Sequence, residues 1–403
     1  MSVEVVITGM GLVSALGDDP AKVHAARCEG RSAVRLQEFP DREVSLLGAS
    51  IEEFDPKKYL EDRNLRPLDR VGRLAVSASK LAFEDAGITP EFCEVNEVDL
   101  ALGTTFGSVY TITQFDRKAQ VSGPKYAMPL DFANTVINAA AGQTAIWHNL
   151  RGTPMTISAG TVSGLRAIEY ASRQIAIGRS ELYFAGGVDE HCFESSWAFR
   201  QSGHASGGAD EQSVQPFGEN RQGFAPGEGA GGLVLESAEG AKKRGAKIHG
   251  KVLGWGSGYA PIEESVEQHV STAERAISTA LEMAGCSAEE IGYIGASANG
   301  SIKGDEIELQ VLRSLFGERL ASLPISVPAE AFGNPLAASG IFQAIEALES
   351  ARQGTLPPFK GALGAASDLG LSREVGTCKF TKALLISVGL DGSVASVVLG
   401  VGE

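Results

Sequence analysis

The chain has 403 residues, 43% of them hydrophobic, which is enough to bury a large core in one or two packed domains. Its formal net charge is −15, and no block of lysine or arginine could follow a phosphate backbone, so nucleic acid is not an expected partner. Its 49 glycines stand singly or in short clusters between apolar runs, which favours strands and helices joined by tight turns over a helical bundle.

The first half of the chain alternates strands with helices. Residues 3–8 form a β-branched apolar run that predicts a buried strand, with a turn at Gly9 and Gly11. Apolar residues recur at three-four spacing over 68–86, which is typical of an amphipathic helix, and Gly87 ends it. Other short apolar runs predict strands at 98–102, 155–158, 182–185 and 231–235, with a helix from about 162 to 178.

The alternation restarts after Lys247. The remaining periodic segments predict strands at 248–254, 292–296, 383–388 and 393–399, and helices at 264–284, 304–316 and 338–352. We therefore expect an α/β protein with two halves, residues 1–245 and 246–403. No linker is long enough to let them move freely.

Cysteine and histidine spacing gives no sign of a metal site. The five cysteines include no CxxC pair, so reduced structural thiols are expected, and the histidines are equally scattered. No metal and no cofactor are therefore predicted. The first residues lack a positively charged region, and no apolar stretch approaches the roughly 20 residues of a membrane helix. A cytoplasmic protein without a membrane partner is expected.

A specific motif appears at residues 215–231, which read QPFGENRQGFAPGEGAG. This segment resembles the PFD-x-x-R-x-G-F-x-x-GEGA motif of the β-ketoacyl synthases of fatty-acid elongation and of type II polyketide ketosynthases. VVITGMGLVSALG (5–17) resembles the family's first strand and turn, and segments 132–146 and 151–158 resemble the approach to its nucleophile. The resemblance spans essentially the whole chain and implies a thiolase-like fold, with two similar halves in five αβαβα layers that assemble as dimers.

The family's catalytic positions carry different residues in this chain. The nucleophilic cysteine, at a strand-to-helix turn, falls on Thr161, which lacks the thiol that ionises near neutral pH. The first catalytic histidine, in an HGT-type motif, falls on Asn299, although the segment to Asp305 and Glu308 is then about two residues short. The second, in a GH-x-x-GAAG motif, falls on Asn334. The resemblance thus implies an acyltransferase-family protein whose own catalysis is uncertain and which we expect to be inactive alone.

Two other family features are also changed. The lysine five residues before the second histidine falls on Ala329. The closing gate loop, which normally contains glycine and phenylalanine, reads Gly389, Leu390, Asp391 and Gly392, with leucine at the place of the central phenylalanine. Because these losses affect nucleophile, bases and gate together, they are hard to reconcile with condensation.

Simpler interpretations stand beside these. A threonine before a helix is more often an N-cap than a nucleophile, and the dipeptides at 299–300 and 333–334 are ordinary turn pairs. Asn334 alone would be compatible with activity, because related starter-unit ketosynthases use a Cys, His, Asn triad. Thr161 and Asn299 would not, since a hydroxyl needs an adjacent base and an amide cannot accept its proton.

In type II polyketide systems an active ketosynthase pairs with an inactive homologue, the chain length factor, which bounds the tunnel for the growing chain. The chain resembles that subunit, although familiar members carry glutamine where Thr161 stands. Its expected partners are an active ketosynthase and, indirectly, an acyl carrier protein. Phe106, Tyr110 and Phe115 are candidate tunnel or interface residues, unless they simply pack in the core. Two alternatives remain open: decarboxylation of malonyl carrier without condensation, and a scaffold homodimer.

Overall fold

The computed structural model describes residues 3–60, 64–208, 210, 213–362 and 364–402. Its strands are β1 (Val5–Ser14), β2 (Arg35–Phe39), β3 (Val44–Gly48), β4 (Asp99–Gly103), β5 (Pro154–Ile157), β6 (Leu182–Asp189), β7 (Gly229–Ser237), β8 (Gly250–Tyr259), β9 (Tyr293–Gly295), β10 (Ile325–Ser326), β11 (Thr355–Leu356), β12 (Gly376–Thr377), β13 (Lys382–Val388) and β14 (Ser393–Gly400).

Its helices are α1 (Pro20–Cys28), α2 (Lys57–Leu60), α3 (Arg70–Asp85), α4 (Pro90–Val95), α5 (Val109–Ser122), α6 (Pro129–Phe132), α7 (Ala139–Trp147), α8 (Ser163–Ala176), α9 (Phe193–Gln201), α10 (Ala238–Arg244), α11 (Val266–Met283), α12 (Ile302–Phe316), α13 (Ala329–Phe332) and α14 (Ser339–Gln353). Within these ranges, none is long and apolar enough to cross a membrane.

Two sets of five strands repeat one topology. The order β5-β4-β6-β7-β1 continues as β8-β14-β13-β9-β10. In each set three strands run parallel, and the two nearest the junction add antiparallel pairs. The sets join through Val5–Ile7 of β1, which pair with Gly250–Val252 of β8. The division expected at residue 245 lies between β7 and β8 and stays a prediction.

Helices cover both faces of each strand set. Helices α8 and α14 contact each other and strands of both sets, so they form a middle layer. Helix α3 packs on β1 and β7, and α11 packs on β8 and β14, as outer layers. The helix predicted over 68–86 is α3, whose N-cap Asp69 accepts a hydrogen bond from Gly72 N. The three largest apolar clusters follow this arrangement: one lies around α8 and α14, one beneath α3 and one beneath α11.

The turn predicted at Gly9 and Gly11 was wrong, because β1 continues through both residues to Ser14. A Cβ on Gly9 would lie 2.4 Å from the carbonyl oxygen of Ala82, and one on Gly11 would lie 2.4 Å from the amide nitrogen of Ala82. These glycines therefore let α3 approach the strand closely, which is the other common reason for glycine within a strand.

Candidate active site

Thr161 lies in the turn between β5 and α8. Gly160 has φ +60, a left-handed conformation that glycine adopts readily. The Ser163 hydroxyl donates to the Gly160 carbonyl (2.6 Å) and accepts from Ala159 N (2.9 Å), so it holds the turn closed. The expected N-cap role of Thr161 was wrong: Val162 is the N-cap residue and makes no side-chain cap. Thr161 Oγ1 is buried without a hydrogen-bond partner among the described residues.

The turn packs directly against the segment that contains Asn334. A Cβ on Gly164, in the first turn of α8, would lie 2.3 Å from the carbonyl oxygen of Ala337. Asp189, at the end of β6, accepts hydrogen bonds from Ala337 N (2.9 Å) and Thr104 Oγ1 (2.9 Å). Burial raises the pKa of Asp189 to about 6, although these hydrogen bonds oppose the shift. Asp189 therefore ties the β4 end of the site to the residues before α14.

Asn334 is held on both backbone sides by the glycine-rich motif. Asn334 N donates to Ala225 O (2.7 Å), and Gly227 N donates to Asn334 O (2.8 Å). Its Oδ1 accepts from Leu336 N (3.1 Å) and from Ser339 Oγ (3.2 Å), as in the turn interpretation of this residue. Its Nδ2 is buried and has no partner in the described part of the chain. The segment resembling the GEGA motif thus works as a backbone frame for Asn334.

Asn299 follows β9 in a turn organised by Asp305. Asp305 accepts hydrogen bonds from the amides of Asn299 (Oδ1, 3.0 Å) and Gly300 (Oδ2, 3.0 Å). Burial raises the pKa of Asp305 to about 6, against the effect of these hydrogen bonds. The side-chain Oδ1 of Asn299 accepts from Ser301 N (3.1 Å). Gly223 N donates to Gly300 O (2.9 Å), so the same glycine-rich motif also supports this turn.

Asn299 and Asn334 line one small cavity, together with Ser297, Ala329 and Gln343. Its volume is about 20 Å³, which has room for about one water molecule. Asn334 Nδ2 and Gln343 Oε1 are buried polar atoms without partners in the ranges described, so a single water is a fitting occupant. Thr161 is not among its lining residues. Two of the three predicted positions therefore line one cavity, and Thr161 lies in the neighbouring turn before α8.

Sequence analysis missed Ser297, two residues before Asn299. Its Oγ donates to Glu308 Oε2 (3.0 Å) and its amide donates to Glu308 Oε1 (2.8 Å). Burial raises the pKa of Glu308 to about 8, with Asp305 adding to the shift. The spacing could have indicated Ser297. From Asn299 to Asp305 and Glu308 the segment is two residues shorter than in the family, and counting from Ser297 instead gives the family's length. Neither Ser297 nor Asn299 supplies an imidazole.

The gate loop forms a tight turn between β13 and β14. Gly389 N donates to Ser393 O (2.7 Å), and the Asp391 carboxylate accepts from Ser393 N (3.1 Å). That carboxylate lies 3.4–3.5 Å from the place where a Cβ on Gly160 would stand, so the loop covers the Thr161 turn. Leu390 packs against a small apolar cluster formed by Phe199, Ala205, Phe224 and Leu336.

Two histidines lie beside the gate loop, where no motif had indicated them. His204 and His269 line a pocket of about 230 Å³ together with Leu390. Lys303 Nζ lies 2.9 Å from His269 Nε2. Burial first, and then Lys303, lowers the pKa of His269, so this imidazole is neutral near pH 7. The described lining of this pocket contains no cysteine.

The three candidate tunnel residues have different surroundings. Tyr110 is exposed. The Phe106 ring is largely exposed but contacts Phe199 at 5.8 Å between ring centroids, next to the apolar cluster that includes Leu390. Phe115, half-buried on α5, contacts the exposed ring of Phe132 at 5.9 Å. None of the three is in a main apolar cluster, so the core-packing interpretation was wrong for them.

Comparison with known proteins agrees with this architecture. The family profile "Beta-ketoacyl synthase, N-terminal domain" matches residues 2–241, and "Beta-ketoacyl synthase, C-terminal domain" matches residues 249–362. The chain belongs to the β-ketoacyl synthase family. The 3-oxoacyl-[acyl-carrier-protein] synthase 2 of Vibrio cholerae is 30% identical over 98% of both chains.

Two solved structures share the fold over the full length of both chains. A β-ketoacyl synthase from Burkholderia phymatum superposes with a TM-score of 0.91 at 30% identity. The structure of the ishigamide ketosynthase/chain length factor superposes with a TM-score of 0.90 at 25% identity. The expected thiolase-like fold of two similar halves is therefore confirmed.

Proposed function

We propose that the chain is a non-condensing ketosynthase-like subunit, a chain length factor, that pairs with an active β-ketoacyl synthase and shapes its acyl tunnel. The process would be polyketide or fatty-acid-type synthesis. One observation carries the proposal: Thr161 Oγ1, at the nucleophile position, is buried without a hydrogen-bond partner among the described residues. A hydroxyl becomes a nucleophile only when a neighbouring base takes its proton.

The neighbouring groups would not replace the missing base. Asn299 and Asn334 carry amides, which do not accept a proton at neutral pH. Their cavity of about 20 Å³ is far smaller than a malonyl group needs. This size also counts against the alternative of decarboxylation without condensation, because the carboxylate that leaves would have to enter this cavity.

An exposed apolar surface supports a protein partner. Helix α5 has no buried residue, although it is 14 residues long. Monomeric proteins rarely expose large contiguous apolar patches. Exposed apolar side chains follow one another through this part of the chain: Phe106, Tyr110, Val121, Tyr126, Met128, Leu130, Phe132, Val136 and Ile137. We call this set the 106–137 surface.

Strand β5 adds a second reason to expect a partner. It ends the ten-strand order, so it has a strand neighbour on one side only, and its residues are half-buried or exposed. Proteins usually cover or pair such an edge. Because β5 leads directly into the Thr161 turn, a partner bound along this edge would come close to the site.

Phe106 is the residue best placed to shape a partner's tunnel. It belongs to the 106–137 surface and also contacts Phe199, whose ring lies 5.2 Å from Phe224 beneath the gate loop. A bulky ring at such a junction can close a channel in a close-packed interface. The similarity to the ishigamide ketosynthase/chain length factor supports this choice of partner. Given the net charge of −15, an acidic carrier protein would dock mainly on the other subunit.

Co-expression tests the proposal. The tagged chain would be produced together with candidate intact ketosynthases, and each complex would be measured by light scattering and by acyl-chain elongation with a loaded carrier protein. We expect a one-to-one heterodimer that elongates chains, no elongation by the isolated chain, and no rescue by Thr161→Cys alone. Elongation by the isolated chain would overturn the proposal.

The two alternatives give different results in the same assays. A malonyl-carrier decarboxylase would release carbon dioxide without the partner. A scaffold homodimer would show self-association and no complex with any ketosynthase. A matched variant of the partner, with its nucleophilic cysteine changed to alanine, confirms that the chemistry belongs to the partner when elongation disappears.

A further inference from the structure

A second pocket lies on the opposite side of α13 from the cavity at Asn334. Ala329 and Phe332 face that cavity, whereas Glu330 and Ala331 line the second pocket. Its volume is about 550 Å³, within the range of about 300–1,000 Å³ that is common for small-molecule sites. It is bounded by the end of α1, by residues 214–215, by residues 358–362 and by Arg373. We call it the basic pocket.

The charge of this pocket is opposite to that of the chain. Arg27, Arg31, Lys360 and Arg373 line it, and Glu330 is the one acidic residue beside them in the described part of the chain. The chain as a whole carries −15, so a group of four cations around one concavity stands out. Cationic clefts with low-dielectric walls concentrate anions.

Two of these cations are already paired. Arg27 is buried and forms an ion pair with Glu346. Arg31 pairs with Glu29 at 2.7 Å, but both side chains are more than half exposed, so the pair is weak. Lys360 and Arg373 make no ion pair with any described residue within 4.0 Å. These two side chains leave positive charge available to a ligand.

Both of these side chains are nevertheless held in position. The Arg373 guanidinium donates through Nη1 to the Lys360 carbonyl (2.7 Å), which leaves its other N–H donors for a second acceptor. The Lys360 stem lies against Gly30, where a Cβ would be 2.6 Å from Lys360 Cε. Gly30 also has φ +74, just after the end of α1, so both its backbone conformation and its contact with Lys360 favour glycine there.

Glu330 opposes an anion only weakly. Its carboxylate accepts hydrogen bonds from the amides of Lys360 (3.1 Å) and Gly361 (2.5 Å), which occupy its oxygens. Burial raises the pKa of Glu330 to about 7, against the lowering effects of these amides, Arg27 and Arg373. The carboxyl is therefore partly protonated near neutral pH.

We propose that the basic pocket binds a small molecule that carries a phosphate group, with Lys360 and Arg373 as its ligands. Guanidinium groups match phosphate oxygens in geometry, and lysine supplies a compact charge beside them. Val34, Val214 and Pro358 line the same pocket and offer apolar contacts to the rest of a phosphate ester. This site is independent of the proposed pairing with a ketosynthase.

Calorimetric titration of the full chain at constant ionic strength tests the proposal, with inorganic phosphate and hexyl phosphate as the probes. The variant is Lys360→Gln with Arg373→Gln. The control is Lys243→Gln with Arg179→Gln, which removes the same charge from exposed side chains outside the pocket. We expect the control to bind like the wild type and the pocket variant to bind at least about tenfold more weakly. Lys360→Arg should retain binding.

The two probes distinguish the source of the phosphate. Tighter binding of hexyl phosphate than of inorganic phosphate indicates an ester whose body uses the apolar lining, and equal binding indicates free phosphate. Should neither probe bind at millimolar concentration, or should both double variants lose binding equally, the proposal is wrong. If the pocket variant melts at a lower temperature, its loss of binding could come from unfolding. Lys360→Gln alone is then titrated in the same way: weaker binding than wild type supports the proposal, and unchanged binding contradicts it.

Discussion

Ser297 Oγ donates a 3.0 Å hydrogen bond to Glu308 Oε2 and accepts one of 3.2 Å from Val388 N, at the start of the gate loop. A buried carboxyl on α12 is thereby connected through one hydroxyl to the backbone that leads into the gate. The protonation of Glu308 therefore affects both stability and the anchoring of the loop.

Glu308→Gln should change how stability depends on pH. Burial raises the pKa of Glu308 to about 8, whereas an unfolded glutamate titrates near about 4.3. Between these values the folded state binds more protons than the unfolded state, so the stabilising effect of this group is present below about pH 4.3 and is lost as pH rises through about 8. From pH 5 to pH 8.5 the variant should gain, relative to wild type, about 4 kcal/mol in unfolding free energy.

Urea unfolding at a series of pH values measures this gain. Glu306→Gln is the matched control on the same helix, because hydrogen bonds from Gln310 and Arg221 lower the pKa of Glu306. Glu306 is thus ionised in both states above about pH 5, and its variant should stay parallel to wild type. Parallel curves for both variants would mean that Glu308 is ionised in the folded protein.

The helices and strands with strong periodicity could be predicted from the sequence, as the matches of 68–86 to α3 and of 264–284 to α11 show. Strand ends at glycine could not. The strand predicted to stop before Gly186 runs on to Asp189. Gly187 is needed within this strand because a Cβ there would lie 2.3 Å from the Ala337 carbonyl oxygen. That requirement comes from another part of the chain and leaves no local pattern. Helix α5 was missed: its apolar residues are interspersed with threonine, glutamine and charged residues, and none of them is buried.

At the site, resemblance to the family gave Asn299 and Asn334, and the structure brings both to one cavity. Periodicity alone would have identified neither, since each lies in a turn. The proximity of Asp391 to Gly160 and of His269 to the gate loop depends on tertiary packing between segments more than 100 residues apart. No spacing rule connects such residues.

A cysteine placed at position 161 should report the charge of the gate loop. The N-terminus of α8 lowers a thiol pKa, whereas the Asp391 carboxylate beside Gly160 raises it. We expect Thr161→Cys with Asp391→Asn to react with iodoacetamide a few-fold faster than Thr161→Cys alone. Peptide mass spectrometry separates the new thiol from the five native cysteines. Thr161→Cys with Asp41→Asn, which removes an exposed carboxylate elsewhere, should leave the rate unchanged; equal rates in all three would exclude an electrostatic effect of Asp391.

Phe132→Arg should weaken pairing with a ketosynthase. Phe132 is 61% exposed within the 106–137 surface and contacts Phe115, so a buried charge there would disrupt an interface without affecting the core. Loss of a central aromatic contact costs an interface about 2 kcal/mol or more, or roughly thirtyfold in affinity. Val95→Arg, at an apolar residue that is 82% exposed on α4, is the matched control. Biolayer interferometry with the immobilised partner gives the affinities of both variants, and similar values for the two would place the interface elsewhere.

Gly333→Ala should destabilise the frame that holds Asn334. Gly333 has φ +62, which disfavours any residue with a Cβ, and the new Cβ would lie 2.6 Å from the backbone oxygen of Ala225. Because Asn334 N donates to that same oxygen, the clash cannot relax without breaking the 2.7 Å hydrogen bond. We expect a loss of about 2–4 kcal/mol in unfolding free energy. Gly87→Ala is the control: its φ of +68 is similar, but a Cβ there meets nothing within 4 Å, so it should cost only about 1 kcal/mol. Equal losses in urea unfolding would show that backbone strain alone, and not contact with the glycine-rich motif, determines the effect at Gly333.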